Sequence, residues 1–100
     1  MNETSVERRL LWVIARMGGT TWKFTAPGRK GVADRVVCLP DGNTWFVELK
    51  SPTGKLSALQ VLFAAEMKRL NQRYACVSSV EEADAFETLS KQGRGVPLRA

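Results

Sequence analysis

Two carboxylates and a lysine near the middle of the chain have the types and spacing to do chemistry together. Asp34 opens one short apolar segment, and Glu48 and Lys50 close the next, Thr44-Trp45-Phe46-Val47-Glu48-Leu49-Lys50. Strand alternation puts Glu48 and Lys50 on one face with Phe46, and Trp45, Val47 and Leu49 on the other. Pro40-Asp41-Gly42-Asn43 between the two segments reads as a hairpin turn. Folding about it sets Asp34 opposite residue 48 or 49. Like charges on neighbouring strands destabilise a sheet, and each carboxylate favours protonation of the other. A divalent cation between them relieves both costs. Magnesium suits the pair, because it takes oxygen ligands, needs only one or two carboxylates, and fills its shell with water and substrate phosphate. Taken singly, each residue has a plainer reading: Asp34 as a turn residue after Gly31, Glu48 and Lys50 as a solvated strand edge. Their combination, with a Lys-Ser-Pro-Thr-Gly-Lys loop leading into a capped helix, favours the chemical one.

The elements that must position these groups follow from periodicity. Thr4-x-x-Glu7 reads as a capping box, and Val6, Leu10, Leu11, Ile14 and Met17 recur at helical spacing until Gly18-Gly19 stop the helix. Residues 20–25 read as a strand, 34–39 and 44–50 as the two hairpin strands. Ser57-x-x-Gln60 is a second capping box, opening a helix over 57–72 with an apolar stripe of Leu59, Leu62, Phe63, Met67 and Leu70. Residues 74–78 form a fourth strand, and Ser79-x-x-Glu82 caps a last helix with Val80, Ala83, Phe86 and Leu89 inward. The order αβββαβα describes an α/β fold: a three-strand meander, then a helix long enough to lay the fourth strand parallel to a neighbour. The expected result is a small mixed sheet flanked by helices, a single domain spanning residues 1–100.

Composition narrows the chemistry further. The chain has no histidine, which removes Ser-His and Cys-His catalysis and the usual zinc sites. Cys38 and Cys76 lie in apolar runs without a Cys-x-x-Cys spacing and read as buried thiols. Fifteen Lys and Arg against ten Asp and Glu give a net charge of +5, which favours a polyanionic partner. No apolar run approaches the roughly 18 residues of a membrane span, and the first residues lack a signal-peptide layout. A soluble, cytoplasmic protein with no membrane partner and no small-molecule cofactor is expected.

Gly31-Val32-Ala33-Asp34, then Phe46-Val47-Glu48-Leu49-Lys50, then Gly54-Lys55-Leu56-Ser57 and Gln60 together resemble the VRR-NUC domain of the PD-(D/E)xK nuclease superfamily. The resemblance runs from about Glu7 to the segment 78–83, with the elements in the same order. Ala33 stands where the family often has a proline. The resemblance implies a restriction-endonuclease-like core and metal-dependent hydrolysis of DNA, with Mg2+ as cofactor and Mn2+ able to substitute. It implies Asp34, Glu48 and the Leu49 backbone carbonyl as metal ligands, and Lys50 as the residue that orients or helps deprotonate the attacking water. It also implies an acidic residue on the first helix, for which Glu7 is the match, and a helix glutamine near the site, matched by Gln60. Capping suits both residues equally well. Stand-alone domains of this family resemble Holliday-junction resolvases in forming homodimers that cut branched DNA.

Lys23, Arg29, Lys30 and Lys55 surround the expected site as DNA contacts, though each alone reads as a surface charge. Arg8, Arg9 and Arg16 form the polar face of the first helix. Trp12, Trp22 and Trp45 read as core or interface packing rather than base-stacking platforms. The competing reading is a non-catalytic nucleic-acid-binding module on the same fold, against which the intact Asp34, Glu48 and Lys50 set speaks.

Overall fold

The computed structural model describes residues 2–92. Seven elements follow in the expected αβββαβα order: α1 (Glu3–Arg16), β1 (Thr20–Lys23), β2 (Arg35–Cys38), β3 (Thr44–Leu49), α2 (Ala58–Arg69), β4 (Arg73–Val77) and α3 (Val80–Lys91). No helix among the described residues is long and apolar enough to cross a membrane. Helix α1 begins one residue before Thr4, so Thr4 lies inside it and the cap is Asn2, whose Oδ1 accepts the Ser5 N–H at 2.9 Å. The Thr4–Glu7 capping box therefore does not form, and the Glu7 carboxylate is free for another partner. At the other end Gly18 adopts φ +80°, and its N–H and that of Gly19 return to the carbonyls of Ala15 and Ile14, as a left-handed glycine stop requires.

The four strands form one sheet in the order β1-β2-β3-β4, antiparallel twice and then parallel through the α2 crossover. The hairpin register pairs Arg35 with Val47 and Val36 with Phe46. One step further, Asp34 stands across from Glu48. The parallel pairing sets Phe46 beside Tyr74 and Glu48 beside Cys76.

The two faces of the sheet are covered unequally. Helices α1 and α3 share one face, where Val6, Leu10 and Ile14 meet Val37, Trp45, Val47 and Phe86 in the main core. Trp45 and Phe86 pack edge to face with centroids 5.4 Å apart. Helix α2 covers the other face alone, over Ala33, Phe63 and Met67 with Phe24, Phe46 and Tyr74 around them. A single helix on a short sheet buries only a narrow stripe, and on α2 that stripe is Phe63, Ala64 and Met67. Leu59, Leu62 and Leu70, expected inward, are exposed. Trp45 is core, as read, whereas Trp12 and Trp22 are exposed. Cys76 is buried and Cys38 half-buried.

Candidate active site

The site lies where β2 begins and β3 ends, on the α2 face. Because β2 starts at Arg35, the Leu49 N–H has no strand partner there, and the Asp34 carboxylate takes it instead, with Oδ2 accepting at 2.7 Å. The Asp34 carbonyl accepts the Phe24 N–H at 2.8 Å, so main chain and side chain both fix this residue. A strand residue sends its N–H and C=O to the same edge, which aims the Leu49 carbonyl toward the Asp34 end as well.

Glu48 is 2% exposed, among the few buried charged residues of the described chain. Its Oε2 accepts the Gln60 Nε2–H at 3.0 Å. Gln60 meanwhile sits at N3 of α2, where its Oε1 accepts the Ser57 N–H at 2.8 Å and its own N–H donates to the Ser57 hydroxyl at 3.2 Å. Capping and site contact use different ends of one amide, so the two readings of Gln60 hold together. The helix start and Glu48 are thereby tied to each other.

Burial pushes the Glu48 carboxyl up to about 9, with the neighbouring Asp34 adding to the rise, Glu3 contributing in the same direction and Lys50 opposing it. Lys50 follows β3, and its N–H continues the parallel ladder by donating to the Val77 carbonyl at 3.0 Å. Tyr74 faces the same side of the sheet; among the described residues its buried hydroxyl lacks a hydrogen-bond partner, and burial raises its pKa, with Cys76, Glu48 and Asp34 adding to the rise.

Glu7 is elsewhere. Its Oε2 accepts the Arg35 Nε–H at 2.9 Å in an ion pair on the α1 face, where Arg35 is 9% exposed. Glu3, exposed in the first turn of α1, adds to the rise of the Glu48 carboxyl. Of the four basic residues expected to meet DNA, Arg29 is engaged with Glu66 at 2.8 Å and stands over the Phe63 ring. Lys23, Lys30 and Lys55 are exposed, Lys23 on the edge strand β1 and the others in the loops 24–34 and 50–57.

The donor set fits a hard cation. It consists of oxygens only, and among the described residues no group of three or more His, Cys, Asp or Glu side chains is arranged to hold a metal. Two carboxylates and a main-chain carbonyl are too few for a zinc or calcium cage, but they suffice for magnesium, which keeps several waters. Glu48, buried beside the half-buried Asp34, carries a charge that a divalent ion would neutralise.

No family model matches the chain. The chain is 37% identical over 79 residues to the protein described as "Putative nuclease p44" from Acyrthosiphon pisum secondary endosymbiont phage 1, covering 79% of this chain and 85% of that one. A solved structure described as "VRR_NUC domain" superposes with a TM-score of 0.80 at 26% identity, over 86% of this chain and 94% of that one. The fold is thus that of a small α/β domain of the VRR-NUC type. The chain belongs to the VRR-NUC family.

Proposed function

We propose that this protein is a metal-dependent endonuclease that hydrolyses DNA phosphodiester bonds. The observation that carries the reading is the cross-strand pair of Asp34 and Glu48, with Glu48 withdrawn from solvent, hydrogen-bonded by Gln60 and faced by Lys50. Its likeness to a phage protein described as a nuclease and to a VRR-NUC domain supports the same reading.

Asp34, Glu48 and the Leu49 carbonyl would hold Mg2+, with Mn2+ able to take its place. The bound ion supplies Lewis acidity toward the phosphodiester and lowers the pKa of a coordinated water. Gln60 holds one oxygen of Glu48 and leaves the other for ligation. The Lys50 ammonium orients the attacking water and offsets charge developing on the phosphate. Exposed Lys30 and Lys55 receive the flanking phosphates. Cutting both strands in a coordinated way needs a second site, so the reading includes a homodimer and a preference for branched, Holliday-junction-like DNA.

The test is cleavage of labelled single-stranded, duplex, flap and four-way-junction DNA with Mg2+, Mn2+ or chelator. Asp34→Asn, Glu48→Gln and Lys50→Ala are run beside the wild type. Metal-dependent cutting abolished in all three variants is expected, with the junction cut fastest. Binding without cutting under either metal would overturn the reading in favour of a non-catalytic DNA-binding module.

A further inference from the structure

Helix α1 has an outward face that neither the core nor the metal site uses. Trp12 is 46% exposed there, against 1% for Trp45 in the core. Its helical neighbours at spacings of three and four include Arg8, Arg9 and Arg16. The Arg9 and Arg16 guanidiniums lie over the indole, 4.3 and 4.8 Å from its centroid. Both arginines also reach α3, Arg9 meeting Asp84 at 2.7 Å and Arg16 meeting Glu87 at 4.0 Å. Those two carboxylates are thus answered, Glu87 by Lys91 as well. Arg8 is exposed and has no ion pair among the described residues. An open groove of about 360 Å³ lies beside these side chains, lined by Ser5, Arg8, Arg9, Trp12 and Val80.

Fastening α1 to α3 does not account for this arrangement. Exposed ion pairs contribute at most about 1 kcal/mol each, and the two helices already share the main core through Leu10, Ile14, Ala83 and Phe86. Such a clamp needs no large ring kept in water. What the indole adds is a plane, and unpaired bases stack on aromatic rings and on arginine planes alike. Arg9 and Arg16, held over Trp12, widen that plane. Arg8, one turn before Trp12, supplies the positive charge for an adjoining phosphate. The bases of a duplex are already stacked on one another, so the platform favours an unpaired strand. Helix α1 covers the opposite face of the sheet from α2, so the groove is separate from the Asp34–Glu48 site. We propose that Arg8, Arg9, Trp12 and Arg16 form a second DNA-binding surface, which takes an unpaired strand with a base on Trp12 and a phosphate on Arg8. From the reading above it takes only that DNA is the substrate.

The test uses the full-length chain with chelator, so that no strand is cut. In a Trp22→Phe background Trp12 is the one exposed indole among the described residues, and oligothymidylate should quench its fluorescence saturably. Trp12→Ala should weaken binding of the labelled oligonucleotide about tenfold, as the loss of one stacked base does, while duplex affinity changes less than twofold. Trp12→Phe should keep most of the affinity and Trp12→Leu should not, because leucine offers bulk without a plane. Should Trp12→Ala not fold, that pair of variants decides alone. Arg8→Ala should lower the slope of log affinity against log salt by about 0.7. Undiminished single-strand affinity in Trp12→Leu, or equal losses on single strand and duplex, would overturn the proposal. Quenching by poly-glutamate as strong as by oligothymidylate would also overturn it, making the groove an acidic-peptide site. Oligothymidylate binding through Trp12 by a protein that cuts no DNA with either metal would leave this surface standing and end the nuclease reading. Junction cleavage by a protein that binds no oligothymidylate would do the reverse.

Discussion

Replacing Glu48 by glutamine should make the metal-free protein more stable while removing its chemistry, and the size of the gain can be worked from the structure. The Glu48 carboxyl moves from an ordinary value of 4.5 to about 9 on folding. A carboxyl raised in this way costs nothing below 4.5, where it is protonated in both states. Its penalty grows as pH rises from there and levels off above about 9. At pH 7.5, three units above the ordinary value, about 1.4 kcal/mol per unit gives a ceiling near 4 kcal/mol. For a domain of this size, each kcal/mol moves the melting temperature by roughly 4–8 °C. The metal-free wild type should therefore melt progressively lower between pH 5 and pH 8, and Glu48→Gln should show a much flatter profile and melt several degrees higher at pH 8. Saturating Mg2+ or Mn2+ should offset most of that gap in the wild type, because a ligand at 100 times its Kd stabilises by about 2.7 kcal/mol and the variant lacks a ligand. Thermal melts of both proteins across pH, with chelator and with metal, measure this. Parallel pH profiles, or a variant no more stable than wild type at pH 8, would refute the reasoning that Glu48 is held as a strained, proton-hungry acid.

Other perturbations reach other parts of the site. Gly31 has φ +86°, and a Cβ there would stand 2.7 Å from the main chain of Leu59, so Gly31→Ala should cost about 2 kcal/mol or more in denaturant unfolding by prying the 24–34 loop off α2. Gln60→Leu removes a cap contact and the hydrogen bond to Glu48; calorimetry should show about tenfold weaker metal binding, with roughly 1 kcal/mol lost from stability. Arg29→Ala should leave the salt dependence of DNA binding unchanged because Arg29 already serves Glu66, whereas Lys55→Ala should lower the slope of log affinity against log salt by about one.

Much of the fold was legible because its signals are local. Alternation in β3, the Pro40–Asn43 turn and the Ser57 and Ser79 caps each depend on residues within a few positions, and all appear in the structure. The turn alone set residue 34 opposite 48 or 49, and the hairpin register makes it 48. What failed depends on tertiary partners. Periodicity on α2 could not reveal that the sheet offers it a single narrow contact, so Leu59, Leu62 and Leu70 were read as buried. Glu7 satisfied a capping pattern, but helix α1 starts earlier and Arg35 claims the carboxylate. Gln60 was ambiguous only while its amide was treated as having one use.

The hairpin that brings Asp34 to Glu48 also has a kinetic meaning. Its pairings span short stretches of chain, whereas β3 and β4 meet only after α2 has carried the chain across. Sequence-local contacts carry the least loop-closure entropy and form early. The protein thus encounters the repulsion between its two acids on the way up the folding barrier, before the rest of the sheet is in place to compensate. Protonating Glu48 should then show itself in the refolding limb of a chevron plot, with folding accelerating as pH falls and unfolding changing less. A cation present at the outset would act on the same limb, guiding the chain toward the turn that assembles the site.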